Sequence, residues 1–472
     1  MSRIAKPRRS ESGTAAIDRI SSLPGNVIDN ILERLPIHDA ASTSVLSKTW
    51  RDLWDLYPNL VFDWVFFSRI VANNDTLDEE NLISEVTGTI NEILLGNPGP
   101  ILKFHLSVRE DLPLHETPNM DLWIKNISNN RVRQLKLIIG PLTAYKIPSY
   151  LFSCSELTHL SLTNCLLNPP LRFGGFCNLI DVTLENVIIT GDMSFGTQLK
   201  ELKLRFCCGI EHLESQFKQN HHLITFLIHK SGEIDLKWFE CTKKLPTLGL
   251  LSEKGADSRK SYINLEKLLG NMIEIRTIHF NGSFLKLLES SAAVSKRLIT
   301  TTRKLSLYKV EFYDLVQIRH VLFLMRSFPK LQRLEIIVGN HGMDLVGSRE
   351  PMVSSVLQYL QSPNLVNVIF DQLQTVKIHR MAGSRAELHF IKFLLAFSPR
   401  LKWIELLNTM TDDPKEESRI SKELMSFPRT SKKKMKEEVK EGKLKVEGTN
   451  DVVTMALVSL STEAEYVVRE FM

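Results

Sequence analysis

A short pattern of leucines recurs along the middle of this 472-residue chain and constrains its fold more than any other feature of the sequence. In the stretch "LTHLSLTNCLL" the apolar positions are Leu157, Leu160, Leu162, Cys165 and Leu167. Further copies begin at Leu179, Leu199 and Leu223, and weaker ones at Val132, Ile275 and Leu331. One such unit is too short to bury its own apolar face, so the copies are expected to stack on one another.

The recurring motif fits the leucine-rich-repeat template, in which each copy supplies a short strand and a return segment. Because alternate side chains of a strand point to opposite faces, the leucines are expected to face the core. We therefore predict an α/β fold, with an irregular leucine-rich-repeat solenoid and a parallel sheet over residues 61–364. The residues between the leucines are expected on an open, concave face that binds a protein substrate. They are His159, Ser161, Thr163, Asp181, Thr183, Glu185, Glu201, Lys203, Arg205, Thr225, Leu227 and His229.

The sequence offers little that would support catalysis or metal binding. Asp181, Glu185 and Glu201 are carboxylates on the same predicted face, but nothing beside them supplies a nucleophile or a second acid in a distinct environment. The six cysteines have no partners at the spacing of a zinc site, and their use fits a reducing compartment. We predict no catalytic residue, no metal and no cofactor.

A helical segment, "SSLPGNVIDNILERLPIHDAASTSVLSKTWRDLW", precedes the repeats. Pro24 suits the first turn of a helix whose apolar residues continue at helical spacing to Leu35, and Pro36 ends it. A second helix is predicted over about residues 39–46, and Ser47 is a suitable N-cap for a third that carries two tryptophans. A bundle this small cannot cover all of its large apolar side chains. Part of its surface is therefore expected to bind another chain or the domain that follows.

This segment resembles a plant-type F-box over residues 18–60, because two Leu-Pro pairs and "SVLSKTWRDLW" stand in the same order and spacing. The resemblance implies docking on the Skp-type adaptor of an SCF ubiquitin ligase and, through that adaptor, on cullin. It assigns contact or support roles to Leu23, Pro24, Ile28, Ile31, Leu32, Leu35, Val45, Leu46, Trp50 and Trp54. Gly25 and Asn26 stand where such motifs usually carry acidic residues, which predicts weaker docking than is typical.

The block at residues 365–430 is predicted to form a strand, a turn, a helix and a second strand. Ser384 and Glu387 match a capping box at the start of the helix, and Pro399 ends it. With "ELMSFPR" near its end, the block resembles the FBD domain that closes many plant F-box/leucine-rich-repeat proteins. We expect it to cap the last open edge of the solenoid.

The two ends of the chain have a different composition. Residues 1–17 and the Lys/Glu-rich stretch from 431 onward are predicted to be flexible. The final stretch, "ALVSLSTEAEYVV", is similar to a segment of copia-type retroelement ribonuclease H, with Glu465 at one metal-binding carboxylate of that family. The other aspartates of such a site are missing, so a transposon remnant or a gene-model fusion is favoured over a nuclease.

Composition limits the partners that remain. The net charge of +5 is spread over many residues, which argues against nucleic acid, and no long apolar run or signal peptide indicates a membrane. Basic runs at residues 6–9 and 432–436 suit nuclear import, so we expect the nucleus and/or the cytoplasm.

We predict a non-catalytic substrate receptor of an SCF-type ligase, which binds an unidentified target through its repeats. Two alternatives stay open at this point. One is a ligase-independent scaffold whose F-box face packs onto the repeats, and the other is a receptor for a small molecule seated in the concave face.

Overall fold

The structure is a computed structural model that divides into two compact units, Met1–Cys165 and Leu166–Met472. It describes residues 20, 23–73, 78–108, 112–141, 143–213, 222–230, 244–253, 262–270, 272, 274–289, 301–339, 350–365, 368–407 and 414–427, and the strands at 438–440, 443–445 and 454–458. The predicted flexible segment 1–17, both basic runs and Glu465 lie outside the described residues.

The first unit begins with three short helices, α1 (Gly25–Leu32), α2 (Ile37–Ser42) and α3 (Lys48–Asp55), with a 3-10 turn at Thr43–Val45. Helix α1 ends before the predicted Leu35, because the chain tightens into a turn ahead of Pro36. Ser47 caps α3 as predicted, since its Oγ accepts a hydrogen bond from the Trp50 amide at 3.4 Å.

The remainder of this unit is a parallel sheet whose strands are connected by helices. Strands β1 (Asn59–Phe62), β2 (Lys103–Ser107), β3 (Gln134–Ile138) and β5 (His159–Thr163) pair in that order, and β4 (Tyr145–Lys146) lies outside this sheet. Helices α4 (Trp64–Asn73), α5 (Glu79–Gly96) and α6 (Asn119–Ser128) connect the strands. The core includes Phe62, whose ring centroid lies 5.0 Å from that of Phe66 and 5.9 Å from that of Phe104.

The second unit continues the strand pattern of the sequence. Strands β7 (Asp181–Glu185), β9 (Glu201–Arg205), β10 (Thr225–Lys230), β11 (Thr247–Ser252), β12 (Thr277–Asn281), β13 (Lys304–Val310), β14 (Arg333–Val338), β15 (Thr375–His379) and β16 (Trp403–Leu407) form a parallel sheet in this order. Two short strands beside this sheet, β6 (Cys165–Leu167) and β8 (Ile188–Ile189), also pair in parallel. The in-register row Leu184, Leu204, Ile228 and Leu250 is buried, so the predicted leucine-rich-repeat arrangement is confirmed.

Helices return the chain between the later strands. They are α7 (Leu265–Leu269), α8 (Gly282–Leu285), α9 (Leu315–Ser327), α10 (Glu350–Leu360), α11 (Arg385–Phe397) and α12 (Pro414–Ser426). The capping box predicted for α11 is present, with the Ser384 amide donating to the Glu387 carboxylate at 2.7 Å. Beyond β16, β19 (Thr454–Val458) extends the sheet in parallel, and β18 (Lys443–Lys445) and β17 (Glu438–Lys440) follow in antiparallel pairing. Among the described helices, none has the length and apolar character needed to span a membrane.

Candidate functional site

Burial divides the ten apolar residues predicted to bind the adaptor into two sets. Ile28, Leu32 and Trp50 are buried and hold the three helices together. Val45 is 79% exposed and Leu46 is 51% exposed, at the turn between α2 and α3. The remaining residues are exposed or half-buried; they are Leu23, Pro24, Ile31, Leu35 and Trp54. The segment therefore keeps apolar surface that the described part of the chain does not cover, as its composition predicted.

This helical segment also contacts helix α4 of the same unit. The Arg69 guanidinium on α4 donates two hydrogen bonds to the Asp39 carboxylate on α2, at 2.5 and 2.9 Å. The ring of His38 stacks on Phe66 with centroids 4.9 Å apart, and burial together with nearby Arg69 lowers the pKa of His38. A bidentate ion pair and a stacked ring therefore join α2 to α4 within the first unit.

The open face of the first unit is polar and accessible. His159 on β5 is exposed, and Ser161 and Thr163 on the same strand are half-buried, as expected for side chains between inward-facing leucines. Further along this face, His105 on β2 is half-buried, and burial with nearby Lys136 and Lys103 lowers its pKa to about 4. This face thus presents a neutral imidazole flanked by cations.

On the second unit, the carboxylates predicted on the open face form ion pairs or hydrogen bonds with neighbouring side chains. Glu185 and Arg205 form an ion pair with Nε and Oε1 3.3 Å apart, and Glu201 lies 3.2 Å from Lys203 Nζ. The Asp181 carboxylate accepts a hydrogen bond from Thr183 at 3.5 Å. These contacts make a half-buried polar surface that can bind another protein, and they leave no pair of free carboxylates for acid–base chemistry.

The last strand of the predicted set, β10, is less accessible than expected. Thr225 is half-buried, but Leu227 and His229 are buried. The His229 ring lies against Phe206, with centroids 4.4 Å apart, and burial followed by Arg205 lowers its pKa to about 4. His229 is therefore a poor contact residue in this conformation, because its neighbours already cover it.

A partly buried polar cluster further along the same face was not predicted. Glu335 on β14 lies 2.8 Å from Lys304 Nζ and 3.4 Å from His379 Nε2, and Ser306 donates to its carboxylate at 3.3 Å. The His379 ring and the Lys304 ammonium hold the pKa of Glu335 well below its ordinary value. Extending the alternation rule to the weak copy that begins at Leu331 would have located Glu335, whereas Lys304 and Ser306 lie on β13, which no recognised copy covers.

Three of the described cysteines are buried, whereas Cys177 and Cys208 are exposed. Cys154, Cys165 and Cys207 are buried, and burial raises their pKa values to about 12, 12 and 11. The Cys207 thiol lies 3.3 Å from the Leu184 carbonyl oxygen, a contact between neighbouring repeats. Within the described part of the chain, no group of three His, Cys, Asp or Glu side chains is arranged to hold a metal ion.

The geometry defines a class of protein: a short helical segment with exposed apolar residues, joined to stacked leucine-rich repeats. Family models agree, since the F-box domain matches residues 20–62 and the At1g61320/AtMIF1 LRR domain matches residues 100–237.

Similar proteins in Arabidopsis thaliana extend this match along the chain. F-box/FBD/LRR-repeat protein At1g13570 is 30% identical over 425 residues, which is 88% of this chain and 96% of that protein. F-box/FBD/LRR-repeat protein At5g56420 is 24% identical over 442 residues, 88% of this chain and 97% of its own length. F-box/LRR-repeat protein At3g26922 is 35% identical over 198 residues, 42% of this chain and 58% of its own length. The chain belongs to the F-box/FBD/LRR-repeat proteins.

Proposed function

We propose that this chain is the substrate-recognition subunit of an SCF-type ubiquitin ligase. Its F-box docks the Skp-type adaptor and thereby cullin, and its leucine-rich repeats bind a target protein. The target's lysines are then held at high local concentration near the charged ubiquitin carrier. No residue of this chain performs the transfer under this proposal, so its contribution is tethering and orientation.

The observation that carries the proposal is the exposed pair Val45 and Leu46 beside a well-packed helical core. Exposed apolar side chains on a small helical unit cost solubility unless a partner covers them. A ligase-independent scaffold, with its F-box face packed on the repeats, would instead have these two side chains covered. Their exposure therefore supports docking on a separate adaptor.

The test is co-purification with a Skp-type adaptor expressed in the same cells. Val45→Asp/Leu46→Asp places two charges on the docking surface at exposed positions, so the helices are expected to stay folded. We expect adaptor recovery to fall at least about tenfold, as is common when a central interface residue is lost. A matched control is Leu122→Asp, which adds a charge at another exposed leucine of the first unit, on α6.

The outcomes are distinct. Loss of recovery with Val45→Asp/Leu46→Asp and retention with Leu122→Asp would support the assigned surface. Equal recovery for the wild-type chain and both variants would overturn it. Circular dichroism of each preparation shows whether the helices remain formed, so a folding defect is recognised directly.

A further inference from the structure

A cleft of about 470 Å³ lies within the first unit, between the turn that joins α1 to α2 and the open face of strands β1 to β3. The turn contributes residues 33–37 to its lining, and the side of the sheet contributes Asn59, Val61, Asp63, Lys103 and Gln134. The volume falls in the range of sites for small molecules, about 300 to 1,000 Å³. The cleft therefore has room for a ligand larger than a single ion.

Charged groups of both signs line this cleft, and they do not neutralise one another. Within the part of the chain that the structure describes, neither Arg34 nor Lys103 forms an ion pair. Glu33 accepts one hydrogen bond from the Asn59 side-chain amide at 3.1 Å. Asp63 uses one carboxylate oxygen, Oδ1, to accept hydrogen bonds from two backbone amides at the start of α4, at 3.0 and 3.2 Å. Its other oxygen has no partner among the described residues.

This arrangement differs from the open face of the second unit. There, the Lys304 ammonium lies 2.8 Å from the Glu335 carboxylate, so the two charges satisfy each other. Lys103 and Asp63 are half-buried without such an opposite charge. A partly buried charge is stabilised when an opposite charge replaces the water it has lost. The cleft therefore favours a ligand that brings both a negative and a positive group.

The two half-buried charges lie at opposite ends of β1. Lys103 is in register with Asn59 at the start of the strand, and Asp63 directly follows its end, four residues later. At about 3.3 Å per residue, this separates the two positions by about 13 Å along the strand. Midway, His105 is in register with Val61, and its Nε2 atom is buried with no hydrogen-bond partner among the described residues. A ligand along β1 thus meets a cation at one end, a carboxylate at the other and a polar atom between them.

This order of groups matches a short peptide with free ends. Three extended residues span about 10 to 11 Å, which leaves room for one contact at each end. The terminal carboxylate suits Lys103 and the terminal ammonium suits Asp63, while small side chains can pack on Val61. The peptide groups offer donors and acceptors to the side-chain amide of Gln134, which also lines the cleft. A simple anion fits less well, because it would lie beside the two carboxylates of the lining.

We propose that this cleft binds a free, zwitterionic peptide of about three residues, which lies antiparallel to β1. Its carboxylate contacts Lys103 and its ammonium group contacts Asp63. The site requires neither the adaptor nor a target protein, so it goes beyond the proposed function. Because the lining comes from both the α1–α2 turn and the sheet, the bound peptide joins the F-box to the first repeats.

The test is isothermal titration calorimetry of the full chain with three peptides of the same sequence. They are Ala-Val-Ala with free ends, the same peptide acetylated at its amino end, and the same peptide amidated at its carboxyl end. We expect the wild-type chain to bind the free peptide at least about tenfold more tightly than either capped peptide, because each cap removes one charge.

Two variants assign the ends of the peptide. Lys103→Gln is expected to bind the free and the amidated peptides alike. Asp63→Asn keeps an oxygen that can cap α4, and it is expected to bind the free and the acetylated peptides alike. The matched control is Lys136→Gln, which removes a charge from an exposed position of β3 outside the lining and should keep both preferences. Hydrogen exchange over residues 33–37 and 59–63 should slow when the free peptide is added to the wild-type chain.

Several results would overturn the assignment. One is equal binding, or no binding, of all three peptides by the wild-type chain. Another is tight binding of the acetylated peptide, which would identify a site for anions alone. Preferences that survive Lys103→Gln and Asp63→Asn, or that Lys136→Gln also removes, would place the peptide elsewhere. Unchanged hydrogen exchange over residues 33–37 and 59–63 would do the same. None of these outcomes depends on adaptor recovery, so the cleft and the proposed function fail or stand separately.

Discussion

At the scale of single residues, the apolar positions of the F-box separate into those that build it and those that remain accessible. Trp50 is 2% exposed and sits on α3 with its ring inside the helical core. Leu46 precedes α3, and its side chain is exposed. The sequence motif treats both as equivalent members of one pattern. The structure gives them different roles, and mutation should separate these roles.

We expect Trp50→Ala to destabilise helices α1 to α3 by about 3 to 5 kcal/mol, the range for removing a buried aromatic side chain. Leu46→Ala is expected to change the same stability by less than about 0.5 kcal/mol, because little buried surface is lost. Hydrogen exchange of backbone amides over residues 25–55 measures both effects. Fast exchange in Leu46→Ala, or unchanged exchange in Trp50→Ala, would contradict the observed burial.

At the scale of elements, the start of α11 depends on one buried carboxylate. Glu387 is fully buried, and it accepts hydrogen bonds from the amides of Ser384 at 2.7 Å and Ala382 at 3.4 Å. Helix starts carry amide groups without partners inside the helix, and this side chain supplies partners for two nearby amides.

We expect Glu387→Ala to lower the free energy of unfolding by about 1 to 3 kcal/mol, since buried N–H groups lose their acceptor. Glu387→Gln keeps an acceptor oxygen and should cost less. Urea denaturation followed by circular dichroism measures the difference. The comparison variant is Glu423→Ala on α12, whose ion pair with Arg419 is on the surface and should be worth less than about 0.5 kcal/mol. Equal losses for Glu387→Ala and Glu423→Ala would contradict the role of the buried cap.

Some strands and helices of this fold can be predicted from the spacing of apolar residues in the sequence. Strands such as β5 follow from alternation alone, because each leucine is two residues from the next inward position. Helix α5 was not assigned, although Val86, Ile90 and Leu94 stand at helical spacing and are buried. The spacing of these three residues is enough to predict the helix from the sequence.

Other features depend on contacts between distant parts of the chain. Burial of His229 requires Phe206 from the preceding repeat, and alternation within one strand carries no information about that neighbour. An open cleft of the second unit is lined in part by Arg276, Arg303 and Lys330, which come from successive strand connections. Only the stacking order of the strands brings these side chains together, so no local motif could have identified them.

At the scale of the whole molecule, several buried or half-buried histidines make stability depend on pH. Burial is the largest cause that lowers the pKa values of His105, His229 and His279 from 6.5 to about 4. In the unfolded chain these groups take up protons below about pH 6.5, whereas in the folded chain they stay neutral until about pH 4. The free energy of unfolding should therefore fall as the pH is lowered through this window.

Glu335 lowers the free energy of unfolding further at lower pH. Its pKa is held below the ordinary value of 4.5 by His379 and Lys304. The stability gained from its ionised form is present above about pH 4.5 and is lost as the pH falls further, because only the unfolded chain is readily protonated there. The two contributions have the same sign, but they act in successive pH ranges.

The histidine contribution can be measured at one position. His279 on β12 is the most enclosed of the three, and its Nδ1 lies 2.9 Å from the Tyr308 hydroxyl. Between about pH 6.5 and 4, we expect His279 to lower the free energy of unfolding of the wild-type chain by about 3 kcal/mol. His279→Gln is expected to remove that part of the pH dependence. Urea unfolding at several pH values across this window gives the slope. The comparison variant is His159→Gln, at an exposed histidine on β5. If His279→Gln kept the full wild-type slope, the buried neutral imidazole could not be the origin of the acid sensitivity.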